Sequence, residues 1–224
     1  MNIRLSVSAL VALGTSVLVV PVACPPVRVL AAGLPEGSRI SVHKMGGDID
    51  VPDAPDGADL STMGGNIRIG TVGNGASAKT MGGDIVIEHA DGSADVSTMG
   101  GKITLQQVSG PVHAGTMAGD VTVHLAGPSS GRRDVHLSSM AGAILLTVPK
   151  DFGMDVRIKL AYTKNSSQDF RVDQHLGLAE RQTTEWETSR GTPRKYIYVS
   201  GRVGNGQSQV TIETVNGDVI LKQE

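Results

Sequence analysis

The sequence predicts an all-β protein, a single-domain β-solenoid built from 18-residue coils. Three observations lead there. The first is a repeat without slippage. Met45-Gly46-Gly47-Asp48-Ile49, Met63-Gly64-Gly65-Asn66-Ile67, Met81-Gly82-Gly83-Asp84-Ile85, Met99-Gly100-Gly101-Lys102-Ile103 and Met117-Ala118-Gly119-Asp120-Val121 each begin 18 residues after the last, and a fixed period is the mark of a repeat architecture. The second is alternation. Counted from the methionine, the fourth and sixth residues are apolar (Ile49/Val51, Ile67/Ile69, Ile85/Ile87, Ile103/Leu105, Val121/Val123) around a mostly polar fifth, the pattern of a half-buried strand. The third is a break in that parity. The next apolar residue comes at the ninth position (Ala54, Val72, Ala90, Val108, Ala126), not the eighth. Met63, Met81, Met99 and Met117 also follow an inward-reading Thr directly. Such breaks suggest corners, where two neighbours both reach the interior.

Turn pairs bound each strand: the Gly-Gly pairs on one side, Asn74-Gly75, Asp91-Gly92 and Ser109-Gly110 on the other. Such pairs tolerate positive φ and are also hairpin signals, so an up-and-down β-meander competes with the solenoid. The corners favour the solenoid, as does its closed core, in which Ile/Leu of one sheet would face Ala/Val of the other. A single-layer meander would leave one apolar face uncovered.

In chain order, residues 1–31 read as an export signal. Arg4 is the only charge before an apolar run from Leu5 to Ala23, and Val29-Leu30-Ala31 offers small residues for cleavage. Three outcomes fit this segment: cleavage after Ala31, acylation of Cys24 as in a lipoprotein, or retention as an uncleaved anchor. The solenoid domain then spans 32–224, with regular repeats over 41–127. Pro128 to Arg133 reads as a loop insertion, and Met140-Ala141-Gly142-Ala143-Ile144 restores the repeat 23 residues after Met117. Strands are expected around 145–148, 154–162, 196–203 and 209–214. Residues 163–195 form an irregular excursion, with a short helix as one reading of Leu176 to Trp186. The chain closes on Val215-Asn216-Gly217-Asp218-Val219, one more repeat. Asn216 replaces the first glycine there, which predicts that this turn position needs positive φ.

These features resemble the family of adhesin-like bacterial envelope proteins with repeated β-strands. Its Thr-x-Gly/Asn-Gly-Asp-Ile units follow a signal peptide, and a Val-Asn-Gly-Asp-Ile-like unit often closes the chain. The resemblance covers about Ile40 to Leu221 and departs at the methionine, where small polar residues are commoner. It implies a β-solenoid at the cell envelope and brings no catalytic residues.

Composition narrows the function classes. Formal charge is −2 on 224 residues, and aromatics are 3%. There is no basic footprint for nucleic acid, and a membrane role would run only through the N-terminal lipid or anchor. The methionine column suits Cu(I) chemically, but a flexible side chain filling corner space is the simpler reading. The column Asp48, Asn66, Asp84, Lys102, Asp120 invites comparison with carboxylate pairs of polysaccharide-acting enzymes; local turn hydrogen bonding explains it more simply. The six histidines show no metal-ligand spacing, and no cofactor is implied. Tyr162, Phe170, Trp186 and Tyr196, in and beside the excursion, are the candidate interaction surface. The structural turns are Gly46, Gly47, Gly64, Gly65, Gly82, Gly83, Gly100, Gly101, Gly119, Asn216 and Gly217. The expected function is a non-enzymatic, exported, adhesin-like interaction or scaffold module, with an envelope protein or a glycan as partner. The alternatives are the polysaccharide-acting enzyme and a periplasmic copper binder.

Overall fold

A computed structural model of the chain describes residues 17–19, 27–28, 37–127, 131–164, 170–188 and 192–224. Cys24 and most of 1–31 lie outside them. Each repeat supplies two strands. The first sheet takes β3 (Ile40–Lys44), β5 (Ala58–Thr62), β7 (Ala76–Thr80), β9 (Ala94–Thr98), β11 (Val112–Thr116) and β13 (Val135–Ser139). The second takes β4 (Ile49–Ala54), β6 (Ile67–Val72), β8 (Ile85–Ala90), β10 (Ile103–Val108), β12 (Val121–Leu125) and β14 (Ile144–Val148). Pairing is parallel throughout both runs, as in Ile67↔Ile85↔Ile103 and Ala58↔Ala76↔Ala94. Parallel pairing of every second strand makes a solenoid and removes the meander, whose neighbours would run antiparallel. Two short strands, β1 (Val17–Val19) and β2 (Val27–Arg28), extend the sheets from β3 and β4; both lie within the stretch read as an export signal.

The core follows the predicted parity. Ile67, Ile69 and Val72 are buried, as are their equivalents in β4, β8 and β10, and they form one cluster with Ala58, Leu60, Ala76, Ala78, Ala94 and Val96 of the first sheet. The fifth repeat departs from it. β12 ends at Leu125, which pairs with Val108 and is buried, while Ala126 is half-buried. One sheet thus supplies mainly branched, large side chains and the other mainly small ones, which lets two sheets interdigitate without aromatics.

The corner beside the methionine differs from expectation in an instructive way. Thr62, Thr80, Thr98 and Thr116 are buried, as predicted. The methionines after them are not corner filler. Met45, Met63, Met81, Met99, Met117 and Met140 project outward, with exposures from 47% (Met99) to 67% (Met45). The threonine hydroxyl, not the thioether, holds the corner. Thr80 Oγ1 donates to Gly65 O (2.9 Å), Thr98 Oγ1 to Gly83 O (3.0 Å) and Thr116 Oγ1 to Gly101 O (3.1 Å), each in the preceding coil. Ser139 and Thr214 repeat the contact to Gly119 O and Gly142 O. Thr98→Val keeps shape but removes this donor and the acceptor for Gly101 N–H. Loss of about 1–3 kcal/mol is expected in urea unfolding; an unchanged midpoint would mean the hydroxyl ladder contributes nothing net.

The glycine pair also divides its labour. A Cβ on Gly83 would lie 2.0 Å from Gly65 O, and Gly65, Gly101, Gly119, Gly142 and Gly217 are equally closed. The first glycine is open: Gly64 has nothing within 4 Å and Gly82 only Met63 O at 3.9 Å. Asn216 does take φ 52°, but Gly46, Gly64, Gly82 and Gly100 at the same position do not take positive φ. The left-handed requirement read from Asn216 therefore holds in the closing repeat alone.

After β14 the chain leaves the stack and returns to it. β15 (Met154–Thr163) and β18 (Arg194–Val203) pair antiparallel, β16 (Val172–Gln174) and β17 (Ala179–Gln182) lie between them in sequence, and β19 (Ser208–Val215) and β20 (Val219–Gln223) close the chain. β19 inserts between β13 and β15, and β20 stacks on β14 with Leu146↔Leu221 in register. The closing repeat is thus the direct continuation of the Met140 coil. No helix occurs among the described residues: the stretch read as a helix at 176–186 holds β17 instead. Nor is any described helix long and apolar enough to cross a membrane.

Candidate functional site

The hairpin β15–β18 sorts the predicted aromatics by strand parity. Cross-strand partners point the same way. Ala161 opposes Tyr196, and Tyr162 opposes Lys195, so Tyr162 and Tyr196 lie on opposite faces. Tyr162 meets Trp186 edge-on at 5.8 Å between centroids, Lys195 Nζ lies 5.0 Å over the Trp186 ring, and Gln182 Nε2 donates to Tyr162 Oη (2.7 Å). Tyr196 instead stacks on Tyr198 (5.8 Å) with Lys159 Nζ 5.6 Å above it, and is itself buried. Phe170 packs against the core and joins neither pair. Of the four predicted residues, the structure brings together only Tyr162 and Trp186. Tyr198 was missed, although its spacing of two from Tyr196 on a strand placed it on the same face.

A groove of about 1180 Å³ runs along β17 and the turn after it, lined by Arg181, Thr184, Glu185, Trp186 and Tyr198 among others. Among the described residues, β17 is the last strand of its sheet and pairs with β18 alone, and its four residues are exposed. Its other edge leaves backbone N–H and C=O groups without strand partners. Aromatic faces, charged side chains and an unpaired edge therefore meet in one concavity.

The polar columns serve the stack. Asp48 Oδ1 accepts from Asn66 N (2.8 Å), Asn66 Oδ1 from Asp84 N (2.9 Å) and Asp84 Oδ1 from Lys102 N (2.8 Å). Asp120 and Asp218 do the same for Ala143 N and Arg171 N. The local turn hydrogen bonding expected of this column is not what these side chains make: their bonds run to the backbone of the next coil. Lys102 has no acceptor to offer, and its Nζ lies 3.6 Å from Asp120.

Two features were not read from the sequence. His113 and His136 stack at 4.8 Å and 11°, because β11 and β13 are neighbours across a 23-residue step. Arg133, read as loop, is buried. It donates to Ala126 O (2.7 Å) and lies over Phe152, and burial lowers its pKa. Next to it, Asp134 takes hydrogen bonds from Arg132 Nε and Gln209 N, which hold its carboxyl below the usual range. Among the described residues, no group of three or more His, Cys, Asp or Glu could hold a metal.

The family model that matches this repeat array is Toastrack DUF4097, and it covers residues 30–222. The chain belongs to that family. The Toastrack match spans the regular coils, the hairpin and the closing repeat together, so the excursion is part of the domain and not an appendage to it. It supports the repeated-strand fold that the sequence resemblance implied. No curated protein and no solved structure matches this Toastrack chain.

Proposed function

We propose that this Toastrack domain is an exported, non-enzymatic envelope module whose solenoid presents the β17 groove to an extended segment of an envelope protein. The observation that carries this reading is the outer edge of β17, without a strand partner among the described residues, beside Tyr198 and Trp186. Strand addition draws affinity from main-chain hydrogen bonds at such an edge and specificity from adjacent side-chain pockets. Aromatic rings flanked by charges are the residues that carry most binding energy in protein contacts. The stacked coils supply rigidity, since each is tied to the next by backbone, threonine and carboxamide or carboxylate ladders. The adhesin-like role rests on that presentation and on the export signal.

The experiment is photo-crosslinking in the native host, with a crosslinking residue at exposed Arg181 and mass spectrometry of the adduct. A discrete adduct with an envelope protein, lost in Tyr198→Ala and Trp186→Ala, is the expected result. An adduct that survives both changes would place binding elsewhere, and a glycan adduct would replace the protein partner. Intact mass from envelope fractions tests export: the chain should begin at Cys24 with acyl groups, or near Ala32. A full-length chain in the cytosolic fraction would overturn the envelope assignment.

A further inference from the structure

The chain has eight methionines, and six of them form the outward column Met45, Met63, Met81, Met99, Met117 and Met140. Nothing in the packing requires them. The corner is closed by the buried Thr/Ser hydroxyls and the second glycine, and the thioethers stand outside it. Apart from Tyr198, these six are the exposed large hydrophobics among the described residues. Solvation favours a polar residue at such a position, and an apolar contact surface could equally use Leu, Ile or Val. All six positions carry sulfur.

Their placement is set by the backbone. The preceding residues are in strict register (Lys44↔Thr62↔Thr80, Thr98↔Thr116↔Ser139). Ala118 N–H bonds to Met99 O (3.0 Å), which locks that turn to its neighbour. Adjacent methionines are therefore one strand spacing apart, about 4.8 Å. The residue after each methionine is Gly or Ala, and a Cβ at Gly64, Gly82 or Gly100 would still be uncrowded, so little covers the flank of the thioether.

We propose that this column is a ladder of sites for soft monovalent cations, Cu(I) or Ag(I), each bridged by thioethers of adjacent coils. A neutral thioether prefers a soft cation and discriminates against Zn(II), Ca(II) and Mg(II). Two metal–sulfur bonds of about 2.3 Å, the length of zinc–thiolate bonds, span about 4.6 Å end to end when linear. That nearly equals the coil spacing, and the three rotatable bonds of each side chain absorb the remainder. Six thioethers make three adjacent pairs: Met45 with Met63, Met81 with Met99, and Met117 with Met140.

Silver ion is the probe, because it does not change oxidation state during a titration. The folded protein, carrying ¹³C-methyl methionine, is titrated with Ag(I) in chloride-free buffer. The six ladder resonances should shift and saturate at about three ions per chain, one for each thioether pair, while the buried Met154 resonance stays in place. Met81→Leu combined with Met99→Leu should lower saturation to about two ions, one pair fewer, with no change in melting temperature, since Leu keeps the column apolar. His43→Ala should leave saturation unchanged. Ladder resonances that do not move, or an unchanged stoichiometry in the double variant, would overturn the proposal.

Discussion

Gly83→Ala should unfold this protein at a far lower urea concentration than Gly82→Ala, although the two glycines are neighbours. At Gly83 the new methyl would sit 2.0 Å from Gly65 O and 2.4 Å from Gly65 C. Both are backbone atoms of the preceding coil, so no side chain can swing aside. The coils must separate locally, which breaks the hydrogen bonds that join them, Thr80 Oγ1 to Gly65 O and Asp84 N to Asn66 Oδ1. Overpacking and lost hydrogen bonds together put the expected cost at about 3 kcal/mol or more. At Gly82 the methyl meets only Met63 O, at 3.9 Å. That change should fall within about 0.5 kcal/mol, with a small gain from restricting the unfolded chain. The chain itself makes this substitution twice, at Ala118 and Ala141. Equal midpoints for the two variants would show that the coils can slide apart more easily than their ladders suggest.

Ile212→Asp should have the second large effect, and a regional one. Ile212 is fully buried on β19, opposite Leu137 on one side and Ile158 on the other. A carboxylate there has no cation to meet it, and burying an unpaired charge exceeds what a domain of ordinary stability tolerates. Because β19 is the strand between the regular coils and the β15–β18 hairpin, its loss detaches the hairpin and the closing repeat. Solenoid coils touch only their neighbours. Hydrogen exchange should therefore accelerate over 154–223 while amides of β5, β7 and β9 keep their protection. Uniform loss of protection along the chain would mean that the stack unfolds as a single unit.

What the sequence disclosed follows from how local each signal is. The 18-residue period and the residues at the fourth, sixth and ninth positions were enough to place the strands, their parallel stacking and most of the core, because register and burial repeat together. The closing repeat was legible for the same reason: Asn216-Gly217-Asp218 carries the turn chemistry. The methionine orientation was not legible. Thr and Met are adjacent at a corner; alternation assigned the Thr to the interior and apolarity the Met, whereas only the hydroxyl has a carbonyl to bond there. Long-range topology was also hidden. Nothing local says that β19 would separate β13 from β15, that Tyr162 and Tyr196 would fall on opposite faces, or that Arg133 would be drawn inward over Phe152.

One consequence of the unbroken register concerns distance. From β3 to β11 the repeats stack with a constant residue offset. A coil more or a coil fewer would meet its neighbours through the same bonds, so the molecule can change length only in steps of about 4.8 Å. The number of units thus sets, like notches on a ruler, how far the β17 groove stands from the first coil.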